Sequence, residues 1–153
     1  MRKIFWLVAT VAFVADRLSK AVVVRLMTPN QSIPVIPGVF HLTLVKNPGA
    51  AFGMLANQRT LFLVITGVVI VAVLYYSRLV GPEQTLLQVS LGLQMAGAAG
   101  NLIDRATSGL VVDFLDVRIW PVFNVADSAV VVGTGLLILA LLRTPQDKRA
   151  GEC

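Results

Sequence analysis

The stretch "PVFNVADSAVVVGTGLLILALL", Pro121 to Leu142, decides how the chain is read. It carries Asn124 and Asp127 near its start and then stays apolar as far as Arg143. Such a run suits the roughly 20 residues that cross a bilayer. A lone carboxylate in it costs at least about 3 kcal/mol if it meets lipid. Asp127 is therefore either a helix cap at the water boundary or a working group held at the membrane edge.

The rest of the chain has the same character. Of its 153 residues, 56% are hydrophobic and 14% are charged, where a soluble domain carries about a quarter charged. Mean hydropathy is +0.79. These values describe an integral membrane protein. The net charge of +5 suits anionic headgroups, so nucleic acid need not be invoked. One cysteine, Cys153, cannot form an internal disulfide, and no Cys/His cluster offers a zinc site.

Working back from Asp127, the pattern predicts one domain over residues 1–153. It is a mainly α bundle of four transmembrane helices, near 4–24, 61–76, 86–103 and 125–142. The start, "MRKIFWLVATVAFVADRLSK", has signal-peptide features, but the apolar pattern resumes at Ala21 to Val24. That reads as a retained span, not a cleaved leader. Four spans put both termini on one side. Arg2, Lys3, Arg78, Arg143, Lys148 and Arg149 make that side the cytoplasmic one. Gly92, Ala96 and Gly100 form a small-residue stripe that lets helices approach closely. Gln94, Asn101 and Arg105 share another face, which should look into the bundle. The segments near 25–59 and 104–122 are left outside the cytoplasm. In the first, Phe40, Leu42 and Leu44 alternate with His41 and Thr43 as in a strand, with Pro34, Pro37-Gly38 and Pro48-Gly49 as turns. "GLVVDFLDVRIW", Gly109 to Trp120, is also strand-like. A small extracytoplasmic β-sheet is expected.

Asp113 falls in the second strand segment and Asp127 one turn into the last helix. If the sheet folds back on the bundle, the two can meet. Paired carboxylates do not both ionise easily, so one keeps a proton while the other acts as base. Such a pair can activate water against an amide carbonyl. The plainer reading makes Asn124 to Asp127 a capping-box variant, and one residue can serve both ends. Asp16 and Lys20, four apart, share a helix face and are read as a structural pair. Ser19 points about 100° away from Lys20, so those two make no ready nucleophile and base. In "GNLIDR", Asp104 and Arg105 can form a local pair, while Asn101 and Arg105, on one face, can equally hold peptide carbonyls. Asn47 before Pro48 reads first as a turn former. No H-E-x-x-H or G-x-S-x-G motif occurs.

Five stretches in order resemble the lipoprotein signal peptidase (signal peptidase II) family of bacterial membrane aspartic proteases. They are "DRLSK" (Asp16–Lys20), "NPGAAFG" (Asn47–Gly53), "AGAAGNLIDR" (Ala96–Arg105), "VVDF" (Val111–Phe114) and "FNVADS" (Phe123–Ser128). One departure is Ala96 before Gly97, where paired glycines are common. The resemblance implies that Asp113 and Asp127 are the catalytic pair. It sets Asn47, Asn101, Arg105 and Asn124 around them, Arg105 and Asn47 gripping substrate backbone. Asp16, Lys20 and Asp104 match recurrent structural polar positions. It implies no metal or other cofactor. The expected reaction removes the signal peptide from diacylglyceryl-modified prolipoproteins, before the lipidated cysteine, near the outer leaflet of the bacterial cytoplasmic (inner) membrane. Membrane lipid and a globomycin-type inhibitor are expected partners. A transporter relaying protons through its spans, or a purely structural bundle, are the alternatives. Polar residues grouped at the outer helix ends favour the protease.

Overall fold

The computed structural model describes residues 3–49, 55 and 57–143. Ala50 to Gly53 of the "NPGAAFG" stretch, together with Arg2, Lys148, Arg149 and Cys153, lie outside that set. Four helices and three strands follow one another: α1 (Lys3–Leu26), β1 (Ser32–Ile36), β2 (Phe40–Asn47), α2 (Arg59–Leu79), α3 (Thr85–Ser108), β3 (Val111–Asp116) and α4 (Val125–Arg143). Three helices, α2, α3 and α4, are long and apolar enough to cross a membrane. Their outer faces show Val68, Val71, Leu141 and Leu142 to the surroundings, as lipid-facing helices do. Helix α1 is as long as α3 but carries Asp16, Arg17 and Lys20 in its second half.

Helix α3 is central and packs against α1, α2 and α4. Its small residues make this possible. The expected stripe faces α1, where Gly100 leaves room for the Asp16 carboxylate. Gly97, outside that stripe, is where α4 comes closest: a Cβ there would collide with the Ala126 carbonyl oxygen. The alanine at 96 is itself buried. Helix α3 continues past the apolar run through Asp104 and Arg105 to Ser108. It stops at Gly109, which takes the left-handed φ of 77° and returns its N–H to the Arg105 carbonyl.

The sheet has order β1-β2-β3, antiparallel throughout. Pro34, expected in a turn, instead sits within β1, an edge strand that spares the missing N–H. Between Leu42↔Leu115 and Val45↔Asp113 a bulge sets Thr43 and Leu44 against Phe114 alone. Bulges re-aim side chains. Here Leu44 and Phe114 turn into an apolar cluster with Val23 and Met27 at the end of α1. That cluster clamps the sheet to the bundle. Beyond the bulge, Val45 stands opposite Asp113 and Asn47 opposite Val111, so Asn47 is the diagonal neighbour of Asp113. His41 contacts Ser32 Oγ at 3.2 Å on the sheet, away from the site.

Candidate active site

Helix α4 begins with a reciprocal cap. Asn124 Oδ1 accepts the Asp127 N–H at 2.8 Å, and Asp127 Oδ2 accepts the Asn124 N–H at 3.2 Å. Capping uses only part of each side chain. Asn124, fully buried, donates from Nδ2 to Asp113 Oδ1 at 2.7 Å. Asp127 receives at Oδ1 the Nδ2 of Asn101 at 2.7 Å. Asn47 Nδ2 donates to Asp113 Oδ2 at 2.9 Å. Three asparagine amides thus aim their donors at two carboxyls, and Asn124 bridges them.

Asp113 and Asp127 line one cavity of about 250 Å³ with Asn47, Gly49, Arg105 and Trp120. Beside it a larger apolar hollow of about 540 Å³ shares Trp120, Phe123, Asp127 and Val131 with the first. Burial pushes the Asp113 carboxyl up to about 7. The donor from Asn47 opposes that, the charge of Asp127 adds to it, and Asn124 and Lys20 oppose it further. Arg105 donates from its guanidinium to the Gly49 carbonyl at 3.1 Å and lies over the Phe62 ring at 4.6 Å. It thereby ties α3 to the chain after β2 and to the start of α2.

Six of the residues singled out in the sequence are brought together here: Asp113, Asp127, Asn47, Asn101, Arg105 and Asn124. Asp16, Lys20 and Asp104 form a separate buried cluster behind Asn101. There Lys20 Nζ lies 2.9 Å from Asp16 Oδ2 and 2.7 Å from Asp104 Oδ2, and Arg17 also pairs with Asp104. Asp104 and Arg105, neighbours in sequence, therefore make no local pair. Gln94, expected on the Asn101 face, packs its chain against Gly133 of α4 and lies outside the cavity lining. Trp120, Phe123, Phe62 and Arg17 were not anticipated. Only "RIWPVF", with aromatic residues flanking Pro121 just before the cap, hinted at the first two. Among the described residues no three of His, Cys, Asp and Glu are grouped to hold a metal ion.

Apolar helices closing around an acid-lined cavity at their junction with a small sheet define a membrane-protein architecture with paired carboxyls at one end. Known proteins narrow this. Residues 8–143 match the family model described as signal peptidase (SPase) II. The lipoprotein signal peptidase of Moorella thermoacetica is 50% identical over 138 residues, covering 90% of this chain and 92% of that protein. That of Halothermothrix orenii is 51% identical over 148 residues, covering 96% and 99%. A bacterial membrane enzyme solved by the in meso method at 2.3 Å resolution superposes with a TM-score of 0.86. It shares 36% identity and covers 96% of this chain and 92% of its own. The chain belongs to the signal peptidase II family of lipoprotein signal peptidases, and is a membrane peptidase.

Proposed function

We propose that this peptidase is an aspartic endopeptidase that removes signal peptides from diacylglyceryl-modified prolipoproteins, with Asp113 and Asp127 as its catalytic pair. The observation that carries the reading is that both carboxyls line one cavity and Asn124 bridges them, its Nδ2 donating to Asp113 and its backbone N–H to Asp127. The burial that pushes Asp113 to about 7 leaves one proton on the pair at neutral pH. A water between the carboxyls gives its proton to the ionised member as its oxygen attacks the scissile carbonyl. The protonated member hydrogen-bonds the developing oxyanion. The proton taken from water then passes to the departing amide nitrogen as the C–N bond breaks.

Asn101 and Asn124 orient the pair. Asn47, whose Nδ2 faces Asp113 and whose Oδ1 accepts the Gly49 N–H at 2.9 Å, orients Asp113 instead of gripping substrate. Arg105 keeps further N–H donors beyond the one on Gly49 for a substrate carbonyl. The apolar hollow next to Asp127 suits the lipid-bearing part of the substrate, and cleavage falls before the lipidated cysteine.

In this reading α1 is a fourth span. Its 24 residues reach about 36 Å, and Asp16 and Lys20 are buried against partners inside the bundle, as intramembrane charges must be. The termini then lie in the cytoplasm and the site near the outer leaflet of the inner membrane. The buried ionisable groups, Asp16, Lys20, Asp104, Asp113 and Asp116, gather toward one end of the bundle instead of stepping through it, which disfavours a proton relay.

The test is cleavage of a purified lipidated precursor in micelles. Asp113→Asn and Asp127→Asn each abolish it, with globomycin inhibiting the wild type. Full cleavage by either variant refutes the pair.

A further inference from the structure

Lys20 has three ammonium hydrogens, and the fold sets three oxygens around its nitrogen. They are Asp104 Oδ2 at 2.7 Å, Asp16 Oδ2 at 2.9 Å and Asn101 Oδ1 at 3.1 Å. The residue is only 2% exposed. An asparagine amide has an accepting end and a donating end, and nothing intrinsic chooses between them. At Asn101 the choice is made from outside. Oδ1 accepts from Lys20 and from Asn124 Nδ2 at 3.2 Å, which leaves Nδ2 to donate to Asp127 at 2.7 Å. Flipping the amide would turn its NH₂ toward the ammonium and its oxygen toward the carboxylate, two repulsive contacts. Asp16 adds a second restraint. Its Oδ1 accepts the Ala126 N–H at 2.9 Å, one residue before Asp127, from a position that is 1% exposed.

We propose that the buried pair Asp16–Lys20 of α1 positions the acid pair: Lys20 fixes the Asn101 donor on Asp127 and supplies positive potential to both carboxyls, while Asp16 holds Lys20 and the first turn of α4. The inference rests on the reading that Asp113 and Asp127 are the proteolytic pair. It makes Lys20 a positioning residue, since Lys20 touches Asn101 and neither carboxyl of that pair. The charged groups facing this region are Asp16, Arg17 and Lys20 on α1, Asp104 and Arg105 on α3, Asp113 on β3 and Asp127 on α4. Arg17 pairs with Asp104 at a part-exposed position and reaches Asp127 only through Asp104, Lys20 and Asn101 in turn.

The experiment measures kcat and KM on the lipidated precursor from pH 5 to 9 for the purified, folded Lys20→Met protein. Removing a cation disfavours the ionised carboxyls, so both limbs of the pH profile move to higher pH. Loss of the amide constraint lowers kcat roughly 10- to 100-fold with little change in KM. Asn101→Ala then costs far less in the Lys20→Met background than in the wild type. Arg17→Gln keeps wild-type limbs. If Lys20→Met does not fold, Lys20→Arg carries the test: it retains the charge and alters the geometry, so kcat falls while the limbs stay. Wild-type limbs in folded Lys20→Met, strictly additive losses with Asn101→Ala, or displaced limbs in Lys20→Arg overturn the proposal. Those outcomes leave the acid-pair reading intact, whereas retained cleavage by Asp113→Asn or Asp127→Asn overturns that reading itself.

Discussion

Replacing Asp113 by asparagine should stabilise the protein, and only at neutral and alkaline pH. The carboxyl titrates near 3.8 when free and is pushed up to about 7 in the fold, chiefly by burial. The sign follows from which state holds the proton. Between those two values the unfolded chain has released it and the folded chain has not, so stability falls as pH rises through that window. Well below pH 3.8 both states are protonated and the penalty vanishes. At 1.36 kcal/mol per unit, the penalty grows from under about 1 kcal/mol at pH 4 to about 2 at pH 5 and about 4 above pH 8. Asparagine never ionises and avoids it. It also loses one acceptor, because one amide end must face the Nδ2 of Asn47 or of Asn124 as a donor, at about 1–3 kcal/mol. That loss does not depend on pH, so the informative quantity is the difference between pH values. Thermal unfolding of wild type and Asp113→Asn in the same micelles, from pH 4 to 9, should show the melting-temperature gap shifting in favour of the variant by several degrees. A gap constant across that range would refute the claim that Asp113 is held protonated by burial, whatever its role in cleavage.

Three further outcomes follow from the same contacts. Asp127→Asn removes one of the two influences that raise Asp113, so the pH break in the stability curve moves to lower pH, read by the same melting series. Asn124→Ala deletes the helix cap and the bridge between the carboxyls together. It should cost about 2 kcal/mol or more in stability and lower kcat more than it raises KM. Arg105→Lys keeps the charge but loses the planar fork lying over Phe62 and reaching Gly49. Cleavage efficiency should drop roughly tenfold with the pH limbs unmoved.

The helices were legible because lipid imposes a coarse rule: long apolar runs between polar ends. Where charges interrupt such a run, the rule weakens. Helix α1 breaks it with Asp16, Arg17 and Lys20, and their partners Asp104 and Asn101 lie more than 80 residues away. Periodicity marked β2 only up to its bulge, past which Leu44 is buried while Lys46, two residues on, is exposed. It did not mark β1, whose every residue is exposed and which is a strand only because β2 pairs with it. The polar site residues could each be picked out as buried polar groups needing a reason. What no spacing reveals is which amide end faces which carboxyl, because the bulge opposite Phe114 and the approach of α4 at Gly97 decide that. Trp120 and Phe123 escaped notice for a related cause. An aromatic residue beside an apolar span looks like an interfacial anchor until the loop carrying it is seen to wall a cavity.

Asn124 shows why cap and acid pair are one device here. A helix N-terminus offers unpaired N–H groups and favours negative charge, so a carboxylate in the first turn of α4 is stabilised where lipid alone would reject it. The cap spends only Asp127 Oδ2 and Asn124 Oδ1, leaving Asp127 Oδ1 and Asn124 Nδ2 for the site. Asp113 has no comparable helix terminus. It lies in a strand, 2% exposed, and burial raises it further than its donors lower it. The two carboxyls thus come from unlike surroundings, one beginning a helix and one buried in a sheet. The bridging asparagine ties both to the start of α4. A shift of that helix end therefore changes both the distance across the cavity and the proton balance within it.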